Sequence, residues 1–118
     1  MPDPAVVSAS GLSLHISAID GAMVVECRGP LTTESSDFLK REVKGRIPNK
    51  GRMILDLSEV TRMDSSGLGA IVGLYLSARS RNCNFDLINL TKQIRDLLAI
   101  PNLLSIFETC GRQGIRIP

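Results

Sequence analysis

Apolar and polar residues alternate over residues 12–17, with the period expected of a strand that buries one face. Asp20-Gly21 has the composition of a two-residue hairpin turn, and a second strand pattern follows over residues 23–28. These patterns predict that the fold opens with a β-hairpin. Residues 1–10 contain two prolines and several small side chains, so we expect a loose leader before the hairpin.

Helix and strand patterns alternate through the rest of the chain. Gly29-Pro30 ends the second strand, and Thr32 or Thr33 can cap a helix over about residues 34–44. The nearly continuous apolar run over residues 53–57 is typical of a strand covered on both faces. The remaining predicted elements are a helix from Ser65 or Ser66 to about Arg81, a strand over 84–88, a helix between Thr91 and Pro101, and a strand near 104–107.

The order of these elements is β-β-α-β-α-β-α-β, which predicts an α/β fold. We expect a mixed, mostly parallel sheet of about five strands, opening with the hairpin and covered by helices joined through right-handed crossovers. A chain of 118 residues is long enough for one domain with a real core. We place that domain at residues 11–109 and a C-terminal tail at 110–118.

Composition narrows the classes of function. The net charge is +2 and the 14 basic residues are scattered, which argues against a nucleic-acid surface, as does the absence of tryptophan. Three widely spaced cysteines indicate reduced core thiols and no metal site. No stretch approaches the roughly 18 apolar residues of a membrane span, and the N-terminus lacks a signal pattern. We therefore expect a cytoplasmic protein without membrane insertion.

The segment Met63-Asp64-Ser65-Ser66-Gly67-Leu68-Gly69 joins a central strand to the following helix. In an open α/β sheet, such a junction is the preferred place for a functional site. Free N–H groups at the helix start can donate hydrogen bonds to a capping side chain, and together with the partial positive charge there they would tolerate a phosphate on a serine. We expect Gly67 and Gly69 to leave room for another molecule, although Asp64, Ser65 and Ser66 could serve simply as caps.

The helix after this segment has two different faces. Small residues share the side that begins at Ser66, while larger apolar residues lie opposite and indicate the core. The small residues are Gly69, Ala70, Gly73, Ser77 and Ser80. Such a stripe is either the contact with a neighbouring helix of the same domain or a docking surface for a partner. We favour docking because the stripe is partly polar.

Enzyme functions find little support in the sequence. His15 is the single histidine, Ser66 is not in a G-x-S-x-G elbow, and no phosphate-binding glycine loop or metal-binding cluster occurs. We expect neither catalysis nor a cofactor.

The stretch from Met53 to Val60, followed by Met63 to Gly69, resembles the signature of STAS domains, and specifically of bacterial anti-sigma factor antagonists. The resemblance extends from about Leu12 to Phe107 and includes Asn89-Leu90-Thr91. It implies a protein that binds an anti-sigma factor, itself a serine kinase, and thereby releases a sigma factor. The kinase would phosphorylate Ser66, and a serine phosphatase would reset the cycle.

The resemblance also assigns the surroundings of the phosphorylation site. Asp64 corresponds to the acidic residue before the two serines, and we expect Ser65 to be a structural cap. The family often has Gly-Glu-(Leu/Ile)-Asp where this chain has Gly29-Pro30-Leu31-Thr32, so Thr32 is expected near Ser66. The predicted partner surface comprises Asp64, Ser65, Gly67, Gly69, Ala70, Gly73, Ser77 and Thr32. We expect a monomer or weak dimer, and the alternative function is a STAS subunit of a transport or scaffold assembly with constitutive binding.

Overall fold

In the part of the chain that the structure describes, six strands form one sheet, and three helices accompany them. The computed structural model describes residues 5–99 and 114–117. In chain order the elements are β1 (Ala5–Ala9), β2 (Leu12–Ile19), β3 (Ala22–Leu31), α1 (Thr33–Lys44), β4 (Arg52–Met63), α2 (Ser65–Ser80), β5 (Asn84–Ile88), α3 (Lys92–Ala99) and β6 (Gly114–Ile117). The strands lie side by side in this same order.

The strand pairing is mixed. β3–β4 and β4–β5 are parallel, whereas β1–β2, β2–β3 and β5–β6 are antiparallel. The α/β class, the opening hairpin and the mixed sheet are therefore confirmed. Parallel pairs, which we expected to be in the majority, are confined to the centre of the sheet, where α1 connects β3 to β4 and α2 connects β4 to β5.

The prediction of a loose leader is wrong for residues 5–9, which form β1 and pair with β2. Ser10 and Gly11 have φ angles of 54° and 83°, and Asp20 and Gly21 have 49° and 81°. Positive φ at both central residues is what a type I′ hairpin turn requires. The chain therefore opens with two consecutive tight hairpins instead of one.

The sheet also extends beyond residue 109, where we placed the end of the domain. β6 lies within the expected tail and pairs antiparallel with β5. The strand predicted near residues 104–107 lies outside the described residues. Four of the five expected strands are present as β2 to β5, and β1 and β6 bring the number of strands in the described residues to six.

The core lies on the face of the sheet that α1 and α2 cover. Alternate residues of β2 to β5 are fully or almost fully buried there, and the two helices contact each other as well as the strands. The largest fully buried side chains include Leu12, Leu14, Met53, Leu55, Leu57, Phe85 and Leu87. Two crossovers that proceed in the same direction place their helices on the same face.

The other face of the sheet is partly open. In β4, Ile54 and Asp56 are half-buried, whereas Met53, Leu55 and Leu57 are buried. The prediction that this strand is covered on both faces is therefore wrong. The near-continuous apolar run reflects an additional isoleucine on the half-open face.

Two of the three cysteines lie in the described part of the chain, and both Cys27 and Cys83 are free and buried. Burial raises the pKa of the Cys27 thiol to about 12, with smaller contributions from Asp56 and Glu26, so this thiol is un-ionised near neutral pH. None of the helices in the described residues is long and apolar enough to cross a membrane.

Candidate functional site

Asp64 connects the end of β4 to the start of α2 and caps that helix. Its Oδ1 accepts hydrogen bonds from the backbone N–H groups of Ser66 (2.9 Å) and Gly67 (3.1 Å). The Asp64 backbone is extended, as a residue at the N-cap should be. The expectation that Ser65 is the structural cap is therefore wrong, because Ser65 is the first residue inside the helix and is exposed.

The same carboxylate also binds the start of α1. Asp64 Oδ2 accepts from the backbone N–H of Thr33 (3.1 Å) and from its hydroxyl (3.3 Å). The pairing of β3 with β4 makes this possible, because Leu31 lies opposite Met63 and the two strands end together at one edge of the sheet. One carboxylate thus holds the N-termini of two adjacent helices.

These donors lower the pKa of Asp64. The largest cause is the hydrogen bond from the Gly67 N–H; desolvation opposes it, and the Thr33 and Ser66 donors add to the lowering. Each donor favours the ionised carboxylate. Because the pKa is lower in the folded state, ionised Asp64 stabilises the fold above the unfolded pKa, and this contribution is lost as the pH falls through the folded value.

The hydroxyl of Ser66 lies next to Thr33. Ser66 is half-buried at the second position of α2, and its Oγ is 3.1 Å from Thr33 Oγ1. The sequence interpretation missed Thr33 as a site residue, naming it only as a possible cap. The available signal was the parallel pairing of β3 with β4, which brings the residues after both strands to one edge of the sheet.

Thr32, which we expected near Ser66, makes its hydrogen bonds at the start of α1. It is buried, 8% exposed, and its hydroxyl donates to Glu34 Oε2 at 3.0 Å. Its backbone N–H donates to Ser35 Oγ, also at 3.0 Å, at the start of α1. Thr32 therefore serves the cap of α1, and the next residue along the chain contacts the serine.

Gly67 has an internal role instead of leaving room for a partner. It is buried, and a Cβ at this position would overlap the carbonyl oxygen of Leu31 and lie 2.9 Å from Leu31 Cγ. Gly69, by contrast, is exposed, and a Cβ there would have nothing within 4 Å. The two glycines of the motif thus differ: Gly67 allows close packing of α2 on β3, and Gly69 faces open space.

The stripe of small residues on α2 is divided between two environments. Ala70 is 1% exposed and belongs to the core, which contradicts its assignment to the docking surface. Gly73 and Ser77 are half-buried, and a Cβ at Gly73 would be 3.6 Å from Lys40 Cε of α1. Leu76, which the sequence interpretation did not consider, is 58% exposed. The stripe therefore runs along the boundary between α1 and the exposed side of α2.

The family model described as the STAS domain matches residues 13–115. An anti-sigma-B factor antagonist of Listeria monocytogenes is 38% identical over 60 residues, which are 51% of this chain and 53% of that protein. The chain thus spans about half the length of that curated relative.

Two solved structures are similar to this chain in fold. The crystal structure of a candidate anti-sigma factor antagonist from Thermotoga maritima is 28% identical, with a TM-score of 0.70 over 77% of this chain and 80% of that one. The phosphorylated form of the Bacillus cell fate determinant SpoIIAA is 17% identical, with a TM-score of 0.61 over 76% and 84% of the two chains. The second likeness is one of fold alone.

Proposed function

Because the chain belongs to the STAS domain family, we propose that it is an anti-sigma factor antagonist that binds an anti-sigma factor kinase only while Ser66 is unphosphorylated. Binding would release a sigma factor, phosphorylation would end it, and a serine phosphatase would restore it. Such a switch acts in the cytoplasm, where transcription takes place. The similarity to proteins named anti-sigma factor antagonists in Listeria monocytogenes and Thermotoga maritima supports the class of partner.

The position of Ser66 is the observation that carries this proposal. Its hydroxyl lies at the edge of the sheet where α1 and α2 begin, and Gly73 and Ser77 follow about two and three turns later on the same side of α2. A phosphate on Ser66 would therefore stand at one end of the boundary between the helices. Ser65 is rotated by about 100° around the helix, toward the exposed side.

The experiment uses the protein isolated from its own cells. We expect mass spectrometry to locate phosphate on Ser66 in part of the population. The dephosphorylated protein, used as bait, should capture an ATP-binding kinase that the Ser66-phosphorylated bait does not capture. Ser65→Ala should capture the same kinase as the unaltered protein. Unmodified Ser66 under all growth conditions, with identical partners for the unaltered protein and Ser66→Ala, would instead indicate constitutive binding in a transport or scaffold assembly.

The boundary between α1 and α2 gives a prediction for the partner surface. Gly73→Gln should leave the domain folded and weaken kinase binding at least tenfold, about 1.4 kcal/mol, because a long side chain keeps the partner away from α2. Gly73→Ala is the matched control: its Cβ makes an ordinary contact with Lys40, and removing a glycine from a helix should stabilise the fold by up to about 1 kcal/mol.

Calorimetric binding and thermal unfolding of both variants test this. If Gly73→Gln unfolds the domain, the side chain has no room beside α1 and the stripe is internal. If it folds and binds with unchanged affinity, the docking surface lies elsewhere along the edge that carries Ser66.

A further inference from the structure

We propose that Thr33 positions the Ser66 hydroxyl in the unmodified protein and binds the phosphate in the modified protein, by reversing the direction of one hydrogen bond. The inference rests on the proposed function in one respect, namely that Ser66 is the phosphorylated residue. Thr33 lies outside the Asp64–Gly69 motif, and the hydrogen bond of its hydroxyl is what differs between the unmodified and the phosphorylated protein.

The direction of the bond follows from counting protons. A hydroxyl has one proton to donate, and an ionised carboxylate only accepts. Thr33 Oγ1 donates to Asp64 Oδ2 at 3.3 Å, so its proton is already committed. Both side-chain contacts of Thr33 are satisfied when Ser66 donates in the contact of 3.1 Å between Ser66 Oγ and Thr33 Oγ1. Thr33 therefore fixes where the serine proton points.

Phosphorylation removes the proton on which this bond depends. Ser66 Oγ attacks the γ-phosphorus of a nucleoside triphosphate, the bond to the β,γ-bridging oxygen breaks, the nucleoside diphosphate leaves, and the serine proton is released to a base of the kinase or to water. The modified residue then has acceptors and no donor. Its contact with Thr33 can persist only if Thr33 becomes the donor.

The donors around Asp64 favour that reversal. The carboxylate keeps three backbone N–H donors, from Thr33, Ser66 and Gly67, after losing the Thr33 hydroxyl. In the described part of the chain, one side-chain group lies within hydrogen-bond distance of Ser66 Oγ, and it is the Thr33 hydroxyl. A phosphate carries nearly two negative charges and strong acceptor oxygens, so it competes well for the proton. The Thr33 hydroxyl therefore stops donating to Asp64, which keeps three other donors, and donates to the phosphate instead.

The test needs no kinase, because phosphoserine can be incorporated at position 66 during translation. The pKa of the phosphoserine is followed by ³¹P NMR and that of the Asp64 carboxyl by ¹³C NMR, in Thr33→Val, Thr33→Ser and the unaltered chain. Thr91→Val is the matched control, since the Thr91 hydroxyl also serves a helix start by accepting from the Ile94 N–H. Thr33→Ala replaces Thr33→Val if the valine variant does not fold.

We expect Thr33→Val to raise the phosphoserine pKa by about half a unit or more, because it removes a donor to the dianion. It should raise the pKa of Asp64 in the unmodified protein but not in the phosphoprotein, where the hydroxyl has already left Asp64. Thr33→Ser should restore the values of the unaltered chain, and Thr91→Val should change neither.

An unchanged phosphoserine pKa in Thr33→Val, with the pKa of Asp64 raised in both forms, would show that the hydroxyl stays on Asp64 and would overturn the proposal. Failure of Thr33→Ser to restore the values would also overturn it. Absence of phosphate on Ser66 in cells would contradict the proposed function while leaving these titrations unaffected, so the two failures are distinguishable.

Discussion

A phosphate on Ser66 should weaken binding to the anti-sigma factor kinase by a hundredfold or more, about 2.7 kcal/mol, and leave the domain folded. The phosphate adds nearly two negative charges at the edge of the proposed partner surface. Burying such a group in an interface costs free energy unless the partner pairs with it, and an acidic group opposite would repel it. Affinity is therefore far more sensitive to this modification than stability is.

Two opposing electrostatic effects act on a phosphate at Ser66 in the folded protein. The N–H groups of Ser66 and Gly67, which could have bound the phosphate, already donate to Asp64. The phosphate thus meets a nearby carboxylate as well as the positive end of the helix, and the two effects oppose each other. Ser66 and Asp64 are partly solvent-exposed, so water and salt screen the repulsion. We expect the melting temperature to change by a few degrees at most.

Titration calorimetry with the captured kinase, together with melting curves, measures both quantities. Protein carrying phosphoserine at position 65 is the matched control, because it has the same charge one residue away on the exposed side of α2. Unchanged affinity with phosphate on Ser66, or a cooperative loss of structure, would refute a mechanism based on charge at the interface.

Gly67→Ala should destabilise the domain by about 2 to 3 kcal/mol. The added methyl group would overlap the Leu31 carbonyl oxygen and crowd the Leu31 side chain. A backbone carbonyl at the end of a paired strand cannot move aside as a side chain can, so α2 must shift away from β3. Overpacking of a core typically costs about 1 to 3 kcal/mol, and we expect the upper part of that range here.

Gly69→Ala is the control for this prediction. It makes the same substitution two residues later in the same helix, where the methyl group meets nothing, and the gain in helix propensity should stabilise the domain by about 1 kcal/mol. Urea unfolding monitored by circular dichroism compares the two variants. Equal stabilities would mean that the close approach of Gly67 to Leu31 is not maintained in solution.

The sequence alone predicted those parts of the molecule that depend on local pattern. Residues 12–17 alternate strictly, Asp20-Gly21 has the composition of a hairpin turn, and the helix after β3 begins and ends close to its expected limits. β1 was missed because residues 1–10, with two prolines and several small side chains, have the composition of a leader, and the pairing of β1 depends on the turn at Ser10-Gly11.

Only the part of the site that lies in one continuous segment of the chain was predicted from the sequence. Ser66 and Asp64 are neighbours in sequence, and a helix start was evident there. The contact of Thr33 with both depends on how β3 and β4 align, which hydrophobic periodicity does not specify. Periodicity likewise showed a face of small residues on α2, but not that α1 packs beside α2 or that Ala70 is buried.

The carboxylate shared by two helices makes the site a property of the tertiary structure. A peptide containing residues 63–69 would have the serines and the aspartate, but it would lack the Thr33 N–H and hydroxyl that hold Asp64 and Ser66. The site is complete only after both crossover units have docked on the sheet. A kinase that recognises this arrangement would modify folded copies and pass over nascent or misfolded ones, so the amount of phosphate would report on native molecules and not on total chains.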